Sequence, residues 1–178
     1  FGIRIIPFNS FFPGRFIPYP VITITKEVLD LVCEYITRQL SIFAPDTPGT
    51  LAEIAKIFLE EGVNVSGFCI AEANNFGVVR AIVDKPDAAF AAFEKRDYLL
   101  KFTDVLIVRM QDVPGGLYEV ASRFGKLGLN ITYAYAAKSG DVPTLVVYVS
   151  NTDIPLEEAV LKIQAAGLTL VPAHQQTS

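Results

Sequence analysis

Asp46-Thr47-Pro48-Gly49-Thr50-Leu51-Ala52-Glu53-Ile54-Ala55 is echoed 66 residues later by Asp112-Val113-Pro114-Gly115-Gly116-Leu117-Tyr118-Glu119-Val120-Ala121. The register continues without a gap: Phe58 matches Phe124, Gly62 matches Gly128, Asn64 matches Asn130, and Val65-Ser66 becomes Ile131-Thr132. Nine identities in the 21 positions from 46 to 66 make two copies of one module the economical explanation. A unit of about 66 residues can carry a small core of its own.

Working outward from the repeated turn, each copy reads in one order. An apolar strand (Thr37 to Ala44; Asp104 to Gln111) runs into Asp-x-Pro-Gly, and a helix follows. Leu51, Ile54, Ala55, Phe58 and Leu59 recur at i, i+3, i+4, i+7 and i+8, which predicts one buried helix face, and Leu117, Val120, Ala121 and Phe124 repeat it. Gly62 and Gly128 stand where a helix ends and a positive φ costs glycine little. Two strands follow in each copy, 63–72 and 77–84 with Asn74-Asn75 as the turn, then 129–138 and 143–150. A second helix opens near Pro86 in one copy and Pro155 in the other, and a last strand closes each module at 98–103 and 168–171. Strand, helix, strand, strand, helix, strand with right-handed crossovers gives an antiparallel sheet with both helices on one face. The fold class expected is therefore α+β, two ferredoxin-like βαββαβ modules in tandem. The expected boundaries are 36–103 and 104–172, with a polar tail at 173–178 and no flexible linker.

Residues 1–35 lie outside the repeat. Phe1 to Pro20 holds five Phe and four Pro without a sustained period, and reads equally as a processed extension, a stretch foreign to the native protein, or a hydrophobic strap on the body. A short helix is predicted from Lys26 to Tyr35.

Composition excludes several classes of function. In 178 residues, 51% hydrophobic content argues for a folded core. Fifteen Lys+Arg against nineteen Asp+Glu give a net charge of -4, the wrong sign for a surface that neutralises phosphates, so no nucleic-acid partner is expected. The single His, His174, sits in the polar tail, which offers an imidazole no rigid frame. Nucleophilic catalysis through a His base has no footing there, and no catalytic residue, metal or cofactor is expected. Cys33 and Cys69 read as buried thiols rather than a disulfide. No apolar run approaches the roughly 18 residues of a membrane span, so a cytoplasmic location without membrane contact is expected.

The turn is where chemistry can sit. Proline stiffens the first helical turn and glycine lets another group approach the backbone. Unpaired N–H groups at the helix start attract a carboxylate, while Asp46 or Asp112, just before, can receive an ammonium group. That pair of charges suits a free α-amino acid. The same aspartates also suit an ordinary helix cap. Asn64 and Asn130, each between apolar neighbours at a strand start, supply a second polar position, with a local turn bond as their other reading. Arg80, the Tyr133-Tyr135 pair and the charge run Glu94-Lys95-Arg96-Asp97 read as an outward-facing or ion-paired arginine, a packing or subunit contact, and a solvated helix end.

The doubled pattern of 46–51 with Gly62-Val63-Asn64-Val65, and 112–117 with Gly128-Leu129-Asn130-Ile131, resembles the signature of ACT domains over roughly Ile36 to Val171. The whole order is similar to small stand-alone proteins made of two ACT domains. The resemblance implies a non-catalytic regulatory module that binds an amino acid between two ACT units. By position, Asp46, Gly49 and Leu51 would face Asn130, and Asp112, Gly115 and Leu117 would face Asn64, with Pro48, Thr50, Pro114 and Gly116 among the ligand-binding residues of the same loops. It also implies a homodimer and a separate biosynthetic enzyme as partners, and it leaves open whether the sites form within one chain or across a dimer. Two other readings stand beside it: a structural partner that joins an enzyme through its uncovered sheet face and binds nothing, and a small ferredoxin-like hydrolase. The hydrolase would need an Arg in the first loop, where Asp46 stands instead.

Overall fold

The computed structural model describes residues 26–73, 76–150 and 154–173. The predicted Asn74-Asn75 turn, His174 and the Phe- and Pro-rich start lie outside those residues. The elements run α1 (Lys26–Cys33), β1 (Ile36–Pro45), α2 (Thr50–Glu60), β2 (Val65–Ala73), β3 (Phe76–Val83), α3 (Pro86–Glu94), β4 (Leu99–Arg109), α4 (Gly116–Lys126), β5 (Ile131–Ser139), β6 (Val142–Val149) and α5 (Leu156–Ala165). Gly62 and Gly128 end α2 and α4 at φ 58° and 72°, as their place in the repeat predicts.

The strands form one antiparallel sheet in the order β2-β3-β1-β4-β6-β5. β4 joins the halves. Its residues 99–106 pair with β1, its residues 106–109 pair with β6, and Leu106 stands opposite both Ile36 and Val147. The front of β4 thus completes the first module and its end begins the second. The strand expected at 168–171 is reduced to a bridge between Val108 and Leu170, flanked by backbone bonds from Arg109 to Thr169 and from Val171 to Ile107. Each half therefore has the ferredoxin-like strand order.

Helices cover one face of each half. Leu40, Ile42 and Ala44 of β1 meet Ile54 and Phe58 of α2 and Phe93 of α3, whose ring stands edge-on to Phe58 at 5.0 Å. In the second half Leu106 and Val108 meet Val120, Phe124, Val160 and Ile163, and Val32 of α1 enters the same core. The helix face expected from spacing is too wide. α2 buries Ile54, Ile57 and Phe58, whereas Leu51, Ala55 and Leu59 are exposed; in α4, Leu117 and Ala121 are exposed beside buried Val120 and Phe124. A 3.6-residue period identifies an apolar arc, but only the part lying over the sheet finds neighbours to bury it.

The opposite faces of the two halves do not remain open either. Ile82, Val105, Ile107, Val146 and Val171 form a third core with Tyr135, Ala137 and Tyr148 packed against it. The sheet curls until its outer strands meet, with Gly67 of β2 so close to β5 that an added Cβ would lie 3.0 Å from the Ala137 methyl. The sheet face offered to a structural partner is therefore occupied by the second module. Strands apolar on both faces demand cover on both, and the tandem copy provides it.

Candidate functional site

Both repeated turns adopt one conformation. Gly49 and Gly115 precede α2 and α4 at φ 98° and 99°, a region closed to most side chains, and no side chain caps either helix. Asp46 and Asp112 are exposed, and among the described residues neither carboxylate has a hydrogen bond or ion pair. They are therefore not the ordinary caps that their position also allowed. In the first turn the Thr47 and Thr50 hydroxyls lie 2.9 Å apart and brace it. In the second, Gly116 replaces Thr50, because a Cβ there would fall 2.1 Å from the Gln111 carbonyl oxygen.

Pro48 and Thr50 line an open cleft of about 500 Å³ beside the first turn, together with Phe43, Glu53 and the segment 96–99. Arg96, read from sequence as part of a solvated helix end, bonds Glu60 at 2.9 Å, approaches Glu61 at 3.6 Å and donates to the Ala92 carbonyl. It ties the end of α3 to the end of α2, with its charge answered by two carboxylates. Asp97 follows in a left-handed conformation at φ 59°. The charge run gave no hint of this cleft, because its wall forms only when the α3–β4 connection folds back beside β1.

Asn64 and Asn130 are exposed at the entries to β2 and β5. Their backbones hold the local structure: the Asn64 N–H donates to Asp84 Oδ1 at 2.9 Å, and the Asn130 carbonyl accepts from Ser150 at 3.4 Å. Their side-chain amides have no partner among the described residues, so the local turn bond that would explain them is not made by those amides. Among the described residues, no hydrogen bond or ion pair joins the 46–51 turn to Asn130, or the 112–117 turn to Asn64.

The joint between the halves holds Arg80, which the sequence reads as outward-facing or ion-paired, and the Tyr133-Tyr135 pair, which it reads as packing or a subunit contact. Gln39, fully buried, donates to Tyr133 Oη at 2.8 Å and to Ser41 Oγ at 3.2 Å, and accepts from Tyr135 Oη at 3.0 Å. The Arg80 guanidinium lies 4.1 Å from the centroid of the Tyr133 ring. Burial pushes the Tyr133 and Tyr135 hydroxyls above the usual tyrosine range, and burial raises Cys69 against the opposing pull of Arg80. Cys33 is exposed and Cys69 half-buried, both free; the deep burial expected of them does not occur, since each lies near an edge of the packed body. Gln39 carried a readable signal, as an amide flanked by apolar residues in a strand that must be buried.

Two turns at helix starts without a side-chain cap, on tandem ferredoxin-like modules, define a class of small paired βαββαβ protein. The family model for the ACT domain pair matches residues 35–166, and the chain belongs to that family. Among solved structures it is similar to protein BT0572 from Bacteroides thetaiotaomicron, at 30% identity and TM-score 0.71, over 80% of this chain and 96% of that one. The fold is shared with the ligand-free regulatory subunit of aspartate kinase from Thermus thermophilus, at 19% identity and TM-score 0.52, over 75% and 95% of the two chains. The corresponding subunit from Thermus flavus gives 15% identity and TM-score 0.52, over 73% and 92%. No curated protein matches the sequence. Among the described residues, no helix is long and apolar enough to cross a membrane.

Proposed function

We propose that this chain is a non-catalytic cytoplasmic sensor that binds a free α-amino acid at its Asp-x-Pro-Gly turns and regulates a separate enzyme of amino-acid metabolism. The observation that carries the reading is the unsatisfied state of both turns. Among the described residues, Asp46 and Asp112 stand without partners before helix starts that no side chain caps. One end attracts an ammonium group and the other a carboxylate. Membership in the ACT domain pair family supports a regulatory role, and the aspartate kinase relatives are regulatory subunits by name.

The free amides of Asn64 and Asn130 are the second half of each site. Within one chain the modules meet through their sheet faces, so we assign the neighbouring module at each turn to a second copy of the chain. Ligand binding across that contact would favour one arrangement of the copies in proportion to its differential affinity. A thermal-shift screen against the free amino acids tests this: ligand at a hundred times its dissociation constant stabilises by about 2.7 kcal/mol. One or two related amino acids should raise Tm selectively, and the Asp46→Ala, Asp112→Ala double variant should fold but lose the response. A response that survives in that variant would move the site elsewhere.

A further inference from the structure

Among the described residues, the joint between the modules contains one buried side-chain polar group without a hydrogen-bond partner. Thr144 of β6 is 1% exposed, and its Oγ1 is buried without a hydrogen-bond partner. Buried hydroxyls are nearly always paired, either with protein or with ordered water. Thr144 lines a cavity of about 10 Å³ between the halves, with Ser66, Gly67 and Ile82 on the side of the first module and Ala137 and Val146 on that of the second. A single water molecule needs about 10–15 Å³ and two to four polar partners.

The second set of partners comes from an irregularity in β2. Its register with β3 shifts between Val65 and Gly67, since Val65 stands opposite Val83 and Gly67 opposite Ile82. Ser66 is left without a pairing residue on β3, and it lines the cavity. Its hydroxyl reaches the Ile82 carbonyl at 3.3 Å, a long bond that leaves the oxygen able to accept. Gly67, next along, brings the strands together so closely that a side chain would close the gap. A bulge on one module thus faces an orphan hydroxyl on the other across a space the size of one water molecule.

We propose that this cavity is a binding site for one ordered water, which accepts from or donates to Thr144 Oγ1 and bridges β6 of the second module to the Ser66 bulge of the first. A dry cavity would leave the Thr144 hydroxyl desolvated for no return, and its removal would then relieve the protein. A wet one makes the hydroxyl part of the contact, and its removal strips the water of a partner.

The two cases give opposite signs in the full-length chain. A high-resolution crystal structure should show a water within hydrogen-bond distance of Thr144 Oγ1. Thr144→Val, nearly the same shape without the hydroxyl, should lower Tm by about 2–4 °C. Thr144→Ser keeps the hydroxyl and should retain the water in its crystal structure, which holds the test open if the valine variant does not fold. An empty cavity in the wild-type crystal, or a Thr144→Val chain that melts higher than wild type, would overturn the proposal.

Discussion

The side-chain amide of Gln39 donates to the hydroxyl of Tyr133 across the joint between the modules, at 2.8 Å, with no solvent reaching the glutamine. Tyr135 donates back to the same amide at 3.0 Å. Three polar groups from β1 and β5 are thus satisfied by one another inside the joint, and such a network fixes how the two faces lie.

Replacing Gln39 with leucine keeps much of the volume and leaves two tyrosine hydroxyls to find other partners. Each buried group left unsatisfied costs about 1–3 kcal/mol, so Gln39→Leu should be clearly destabilising in urea denaturation. Tyr133→Phe removes one partner of a bond and should cost less, on the order of 1 kcal/mol. A double-mutant cycle on the pair should give a coupling energy above about 0.5 kcal/mol. Strict additivity would show that the bond does not hold the modules together.

Alkaline pH should act on the same joint. Burial raises the folded-state pKa of Tyr135 well above the usual tyrosine range, and that of Tyr133 in the same direction. Below about pH 10, both folded and unfolded chains keep these hydroxyls protonated, and their contribution is fully present. As pH rises past that point the unfolded chain ionises first, and Tyr135, the more deeply buried of the two, costs up to about 1.4 kcal/mol of stability per pH unit, with a smaller contribution of the same sign from Tyr133. Stability measured between pH 8 and 11 should fall more steeply in the wild type than in Tyr135→Phe. Parallel curves would show that Tyr135 is no more buried in the folded chain than in the unfolded one.

The repeat made the fold legible because a 66-residue offset constrains every element twice. Gly62 and Gly128 mark helix ends in both sequence and structure, and Pro86 opens α3 as its ring geometry favours. What could not be read was the relation between the modules. Strand alternation says that Gln39 and Ser41 share a face, but nothing local says that Tyr133 will cover them. For the same reason Leu51 and Leu59 look like core residues, since periodicity reports an apolar arc and not what lies opposite it. The turn residues Pro48 and Thr50 were visible as a motif; Arg96 and Asp97, beside them in the cleft, arrive from 46 or more positions away in sequence.

The two turns should differ in their tolerance of side chains. At position 116 a Cβ would sit 2.1 Å from the Gln111 carbonyl oxygen, a backbone atom that cannot swing aside. Gly116→Ala should therefore destabilise strongly, by about 1–3 kcal/mol as overpacking in a tight region does, while Thr50→Ala at the matching position loses only its exposed hydroxyl contact and should cost under about 1 kcal/mol. Thermal denaturation of the two variants checks this. Equal shifts would show that the second turn relaxes freely around a methyl group.

The assignment of a second copy rests on an apolar surface around the first module. β2 is an outer strand of the sheet, and its Phe68 and Ile70 are 55% and 52% exposed. They stand opposite Ala81 and Val79, which belong to the helix-side core, so they share a side of the sheet with α2. Leu51 and Leu59 on α2 add 43% and 78% exposed surface of the same kind. An outer strand with little charge, flanked by apolar side chains, is a template for pairing, and proteins that remain single chains usually blunt it with lysine or proline. β2 has neither; its one charge is Glu72. Light scattering of the purified chain should give twice the 19.5 kDa chain mass, and Phe68→Glu with Ile70→Glu should return it to one chain without unfolding it. The same double variant should lose its thermal response to the amino-acid ligand, because the turn would have lost its facing asparagine. A wild-type chain that is monomeric and still responds would place the complete site within one molecule.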